Sequence, residues 1–105
     1  MEISKVERGD DLYLTVSGRI DATTAPTLEA ELKGAAAEGG AAVIVDFAEV
    51  DYVSSAGLRA LLVGAKGLAG QGRKLVVARA RDDVLDVIRL TGFDRILTLS
   101  DDLPA

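Results

Sequence analysis

Histidine, cysteine and tryptophan are all missing from this 105-residue chain. Without imidazole there is no Ser-His-Asp triad, no side-chain base that titrates near neutrality and no His-ligated metal. Without thiols there is no disulfide frame, no thiolate nucleophile and no cysteine zinc site, which suits a cytoplasmic protein. Catalysis would have to run on carboxylates, lysines or hydroxyls, and the chain is expected to be no enzyme and to need no cofactor or metal. A basic surplus is lacking too. The net charge is −5, spread along the chain, whereas nucleic acid and anionic membrane both require a basic footprint. No stretch approaches the roughly 20 apolar residues of a membrane span. The start, "MEISKVERGDDLYL", has neither a basic n-region nor an apolar h-region, so the chain reads as a soluble, mature protein.

What is present is one domain's worth of alternating signals. About half the residues are apolar, enough for a single core, and residues 1–105 are expected to form one domain. "EISKVE" and "LYLTVSG" alternate with period two around "RGDD" and predict a hairpin of half-buried strands. In "DATTAPTLEAELKGAAAE", Thr24 is a plausible N-cap, Pro26 fits the first turn, and Leu28, Leu32, Ala35 and Ala36 form a helical stripe. "AVIVDF" is the β-branched run of a strand covered on both faces. A second helix carries Leu58, Leu61, Leu62, Ala65 and Leu68 on one side, and "LVVA" is a further buried strand. "RDDVLDVIRLTGF" predicts a third helix whose free N–H groups Asp82 or Asp83 can cap, with Val84, Val87 and Ile88 along one face and Gly92 just past its end. "RILTL" closes as a strand and "SDDLPA" reads as a frayed end. The order β-β-α-β-α-β-α-β implies a small mixed sheet, mainly parallel, with the hairpin as its antiparallel edge. Which face the helices cover stays open.

Three candidate sites have simple explanations. "GLAGQGRK" lacks the Ser or Thr of a Walker loop and leads from helix to strand, so it reads as a connection. The pairs Asp10–Asp11, Asp82–Asp83 and Asp101–Asp102 have no EF-hand spacing. "VSSAG" has the strand-turn-helix setting of a hydrolase nucleophile elbow, but its first glycine is replaced by Val53 and no histidine can take the proton. The two serines of that turn still need a reason. One can cap the following helix through its hydroxyl; Ser55 is then left over, beside the small Ala56 and Gly57, where a partner's backbone can come close.

At these residues, "DYVSSAGLRALL" resembles the signature turn of STAS-domain proteins of the bacterial anti-sigma factor antagonist type. "GRIDATTAPTLEAEL", "VIVDFAEVDYV" and "LTGFDRIL" extend the likeness over essentially the whole chain. The resemblance implies an α/β STAS-like domain that binds an anti-sigma factor/serine-protein kinase and so frees a sigma factor. It implies that this kinase phosphorylates Ser55 to break the complex, and that a PP2C-type phosphatase restores it. Partner contacts would fall on Asp21, Ser54, Ser55, Ala56, Gly57 and Leu58. The chain departs from the family pattern in having Ser54 where an Asp is usual and Ala56 where a Ser or Thr is usual. An accessory subunit of a lipid or anion transport system, sharing the domain without phosphorylation, is the alternative.

Overall fold

The two alternating stretches pair as β1 (Glu2–Arg8) and β2 (Asp11–Ile20), antiparallel, around a turn in which Gly9 takes φ 61°. Next along the sheet come β3 (Val43–Val53), β4 (Leu75–Ala78) and β5 (Thr98–Ser100), each parallel to its neighbour, so spatial order follows chain order. Between the parallel strands run α1 (Ala25–Glu38), α2 (Ser55–Ala69) and α3 (Asp82–Leu90). The computed structural model describes residues 1–103. The end of "SDDLPA", Pro104 and Ala105, lies outside the described residues.

All three helices cover one face of the sheet. Leu28, Leu32, Leu61, Leu68, Val84 and Ile88 join Leu14, Val16, Val45, Phe47 and Val77 in one cluster. Each fully buried leucine contributes about 1.5–3 kcal/mol relative to exposure. Packing between α1 and α2 is close because α2 presents glycine at the contact: a Cβ on Gly64 would lie 2.6 Å from Leu32 Cδ1. On the opposite face Tyr13, Ile44, Val76 and Ala78 form a small second cluster with Leu103 packed against it. The tail expected to fray therefore has an anchored residue.

Several local expectations give way to tertiary effects. β1 is almost wholly exposed, with Val6 at 51 %: it is an edge strand, paired on one side only, and of its side chains Ile3 packs against the core. β3 runs well beyond "AVIVDF" to Val53, and its register against β2 slips twice, after the Thr15–Asp46 pair and after the Gly18–Val50 pair. Each slip gives β3 one extra residue, a bulge that bends the strand and re-aims its end. Of "RILTL" only Thr98 and Leu99 stay in β5, which Ser100 completes. Gly92 at φ 77° starts a 3-10 turn over Phe93–Arg95 instead, and the Phe93 carbonyl accepts from the amides of Ile96 and Leu97. Arg81 holds the backbone cap position of α3, while Asp83 Oδ1 accepts the first-turn amide of Val84 at 3.0 Å; Val84 and Ile88 are buried and Val87, beside them, is 37 % exposed.

The glycine-rich connection has a structural use that its sequence does not announce. The Arg73 guanidinium donates to the carbonyls of Gly39 and Ala41 at 2.9 and 2.8 Å and reaches those of Ala35 and Ala36. Those include the acceptors that the end of α1 leaves without an intrahelical donor.

Candidate functional site

The turn from β3 into α2 is built by division of labour between its two serines. Ser54 is the N-cap: its backbone is extended and its Oγ accepts the Gly57 amide at 3.2 Å. Ser55 is the first helical residue and is exposed, and its hydroxyl has no hydrogen-bond partner among the described residues. One hydroxyl is thus occupied by the cap and the other is free.

A single backbone bond brings in the second loop. The Ser54 amide donates to the Ile20 carbonyl at 2.8 Å, which fixes the start of α2 against the end of β2 and so beside Asp21. In that loop Asp21 Oδ1 accepts the amides of Thr23 and Thr24 at 3.0 and 3.1 Å. Thr24, in the cap position of α1, makes no side-chain cap of its own helix; its hydroxyl donates to the Arg19 carbonyl and accepts the Asp21 amide, both at 2.9 Å. The Thr24 amide, with those of Thr23 and the charge of Arg19 assisting, holds the Asp21 carboxyl below the ordinary carboxylate range against a smaller desolvation effect. Asp21 is therefore an ionised turn residue with its second oxygen 4.0 Å from Arg19 Nε.

Of the residues singled out in the sequence, Asp21, Ser54, Ser55 and Ala56 reach the surface around this junction. Gly57 and Leu58 do not. A Cβ on Gly57 would meet Ile20 Cγ2 at 2.7 Å and the Ile20 carbonyl at 3.1 Å, and Leu58 is buried in the core. The small residue at 57 lets α2 approach β2, and the expectation that it admits a partner's backbone is corrected: its open side faces inward.

The junction also contains residues that sequence reasoning passed over. The Arg19 guanidinium lies over the Tyr52 ring, 4.0 Å from its centroid, a pairing set by the bulged register that puts Arg19 opposite Tyr52. Two shallow grooves flank Ser55. One lies between α1 and α2, with Ala25, Pro26, Glu29, Ala56 and Arg59 in its walls; the other lies between β3 and α3, with Asp51, Tyr52, Asp83 and Val87. Arg59 follows Ser55 by one helical turn, a spacing visible in the sequence itself.

Behind the junction, Asp46 is the one buried charged side chain among the described residues. It accepts Ala48's amide at the first bulge of β3 and pairs with both Nε and Nη2 of Arg79. Burial pushes its carboxyl up, but the Arg79 hydrogen bond, the Ala48 amide and the Arg79 charge together outweigh that and hold it below the ordinary range. Arg79 itself takes φ 57°, a left-handed conformation costing a non-glycine residue about 1–2 kcal/mol. A polar residue inside the apolar run "VIVDF" was the sequence signal for this pair. Among the described residues there is no metal-ligating cluster, and no helix is long and apolar enough to cross a membrane.

Known proteins are similar to this chain in sequence and in fold. The chain is 35% identical over 82 residues, 78% of its own length and 71% of the relative's, to BtrV of Bordetella bronchiseptica, named as a candidate anti-sigma factor antagonist. A crystal structure of an anti-sigma factor antagonist from Mycobacterium paratuberculosis superposes with a TM-score of 0.87 at 28% identity, covering 97% of this chain and 86% of that one. A sulfate transporter family protein from Wolinella succinogenes shares the fold at a TM-score of 0.81 and 19% identity, covering 94% of this chain and 83% of that one. The architecture alone therefore does not separate the regulatory reading from the transport one. With five strands in chain order, three helices on one face, a capped serine turn and a STAS domain model matching residues 2–105, the chain belongs to the STAS domain family.

Proposed function

We propose that this protein is a cytoplasmic anti-sigma factor antagonist controlled by phosphorylation of Ser55. Unmodified, it binds an anti-sigma factor that is also a serine kinase, and the sigma factor is released. The kinase then directs the Ser55 Oγ at the γ-phosphorus of its ATP: a new O–P bond forms, ADP leaves and the hydroxyl proton passes to a kinase base. A PP2C-type phosphatase hydrolyses the ester and restores the free serine. The observation that carries the reading is the free Ser55 hydroxyl on the first turn of α2, with Ser54 already committed to the cap. The antagonist part of it is supported by relatives named as anti-sigma factor antagonists.

The mechanism of release follows from signs. A phosphate on the first turn of a helix is favoured by the helix dipole, by about 0.3–1 kcal/mol, so modification does not unfold the domain. It acts at the interface, adding about two negative charges beside Ala56, near Asp21 and Asp51. Asp21, Ser54, Ser55 and Ala56 form the partner-facing rim, while Gly57 and Leu58 support it from within. Ser55→Asp should fold normally yet bind the anti-sigma partner roughly 10- to 1,000-fold more weakly, since each 1.4 kcal/mol is about tenfold. Ser55→Ala should bind constitutively and accept no phosphate. Intact mass and phosphosite mapping after incubation with ATP and a kinase-like protein from the same genome, with calorimetry on both variants, tests the reading. Phosphate found on Ser54, or undiminished binding by Ser55→Asp, overturns it.

A further inference from the structure

We propose that Arg59 is the intramolecular partner of a phosphate on Ser55, closing over it as a salt-bridge clamp along the first two turns of α2. The proposal rests on the reading of Ser55 as the acceptor and adds what the chain itself does once modified. Ser55 and Arg59 stand at i and i+4 of one helix, both exposed, so their side chains lie on the same face. That spacing puts Cβ atoms about 5–6 Å apart, and an acidic group N-terminal to a basic one is the favourable order. A phosphoserine oxygen and a guanidinium fork pair bidentately, more strongly than a carboxylate pairs with lysine.

The disposition of the other charges is what singles out Arg59. Its guanidinium has no hydrogen bond or ion pair among the described residues, although it lines the same groove as Glu29. Glu29 is taken by Lys33 on its own helix, at 3.3 Å. Arg19 is stacked on Tyr52 and faces Asp21, and Arg81 donates to the Ala48 carbonyl and sits 4.0 Å from Glu49. The charges that line the neighbouring β3–α3 groove, Asp51 and Asp83, are acidic, as is Asp21 in the loop before α1; the other cations of the two helices, Lys66 and Arg89, lie in their last turns, away from the start of α2. Those carboxylates oppose a dianion at position 55, and Arg59 is the uncommitted cation on the same helical face. Drawing it to the phosphate also withdraws it from the wall of the α1–α2 groove, so modification changes that groove as well as the helix start.

The test installs phosphoserine at position 55 during translation, so it needs no kinase and its outcome is separate from the question of whether a kinase uses the site. The second phosphate ionisation is followed by 31P NMR against pH in the full chain, in Arg59→Gln, in Arg59→Lys and in Lys66→Gln as a control on the same helix. Arg59→Gln should raise that pKa by about 0.3–0.7 unit at low salt, from a charge-assisted helical pair about twice the ordinary strength. Arg59→Lys should recover part of the shift, Lys66→Gln should leave it unchanged, and half-molar salt should shrink the difference. An Arg59→Gln protein that titrates as the parent does, or a Lys66→Gln shift of equal size, overturns the clamp. Circular dichroism on each variant checks that the fold is intact.

Discussion

Replacing Gly64 by alanine tests the close approach of α1 and α2, on which the geometry of the site depends. The added Cβ would lie 2.6 Å from Leu32 Cδ1, 3.0 Å from its Cβ and 3.2 Å from its Cγ. Carbon atoms pack comfortably at about 3.5–4.0 Å. A rotamer change can move Cδ1, but Leu32 Cβ is fixed to the backbone, so the two helices must separate or the leucine must strain. Leu32 is fully buried, which leaves it nowhere to go. Overpacking of this kind costs about 1–3 kcal/mol, offset by the roughly 1 kcal/mol that alanine gains over glycine in a helix interior. Gly67 supplies the internal control. It lies one turn further along α2, where an added Cβ meets nothing within 4 Å, so Gly67→Ala should stabilise by about 0.5–1 kcal/mol. For a chain of this size the unfolding entropy is about 0.2 kcal/mol/K, so each kcal/mol moves Tm by about 4–5 °C. Gly67→Ala should melt a few degrees above the parent, Gly64→Ala at or below it, with the two about 5–15 °C apart by calorimetry. A Gly64→Ala protein that gains as much as Gly67→Ala would falsify the packing argument.

Ser54→Ala removes the cap bond to the Gly57 amide and should cost about 1 kcal/mol, read as a drop of about 4–5 °C in Tm, while leaving Ser55 available for phosphate. Asp21→Asn keeps an acceptor for the amides of Thr23 and Thr24 and should melt higher than Asp21→Ala; equal melting would deny the carboxylate its role in the turn. Because the Asp21 carboxyl titrates below its unfolded value, its contribution is present above about pH 4 and disappears as pH falls through the lower folded pKa. The same sign holds for Asp46, so Asp46→Asn should lower Tm at neutral pH and flatten the acid limb of the stability profile. An unchanged acid limb in urea melts from pH 7 to 2 would remove the Asp46–Arg79 pair from the stability of the bulge.

Some properties were decided by residue chemistry before any folding. The absence of histidine and cysteine, the order of strands and helices, and two adjacent hydroxyls at a strand-to-helix turn are all local facts, set by composition and by the periods of two and 3.6. Of the expected α2 stripe, Leu58, Leu61, Ala65 and Leu68 are buried as that period implies, and Leu62 is half-buried. Other properties depend on groups distant in sequence, which local patterning does not record. Whether Ser54 or Ser55 is the cap, and which is left free, depends on the Ile20 carbonyl that holds the turn. Whether Gly57 opens outward or inward depends on the side chains of Ile20 and Val53 behind it. The bulges in β3 arise from its register with β2, and they carry Tyr52 under Arg19. The end of α1 is satisfied by Arg73 from beyond the next helix. Periodicity specifies which residues can face a core; only packing one element against another specifies which hydroxyl, glycine or guanidinium is left facing solvent, because that choice is made by contacts across the chain.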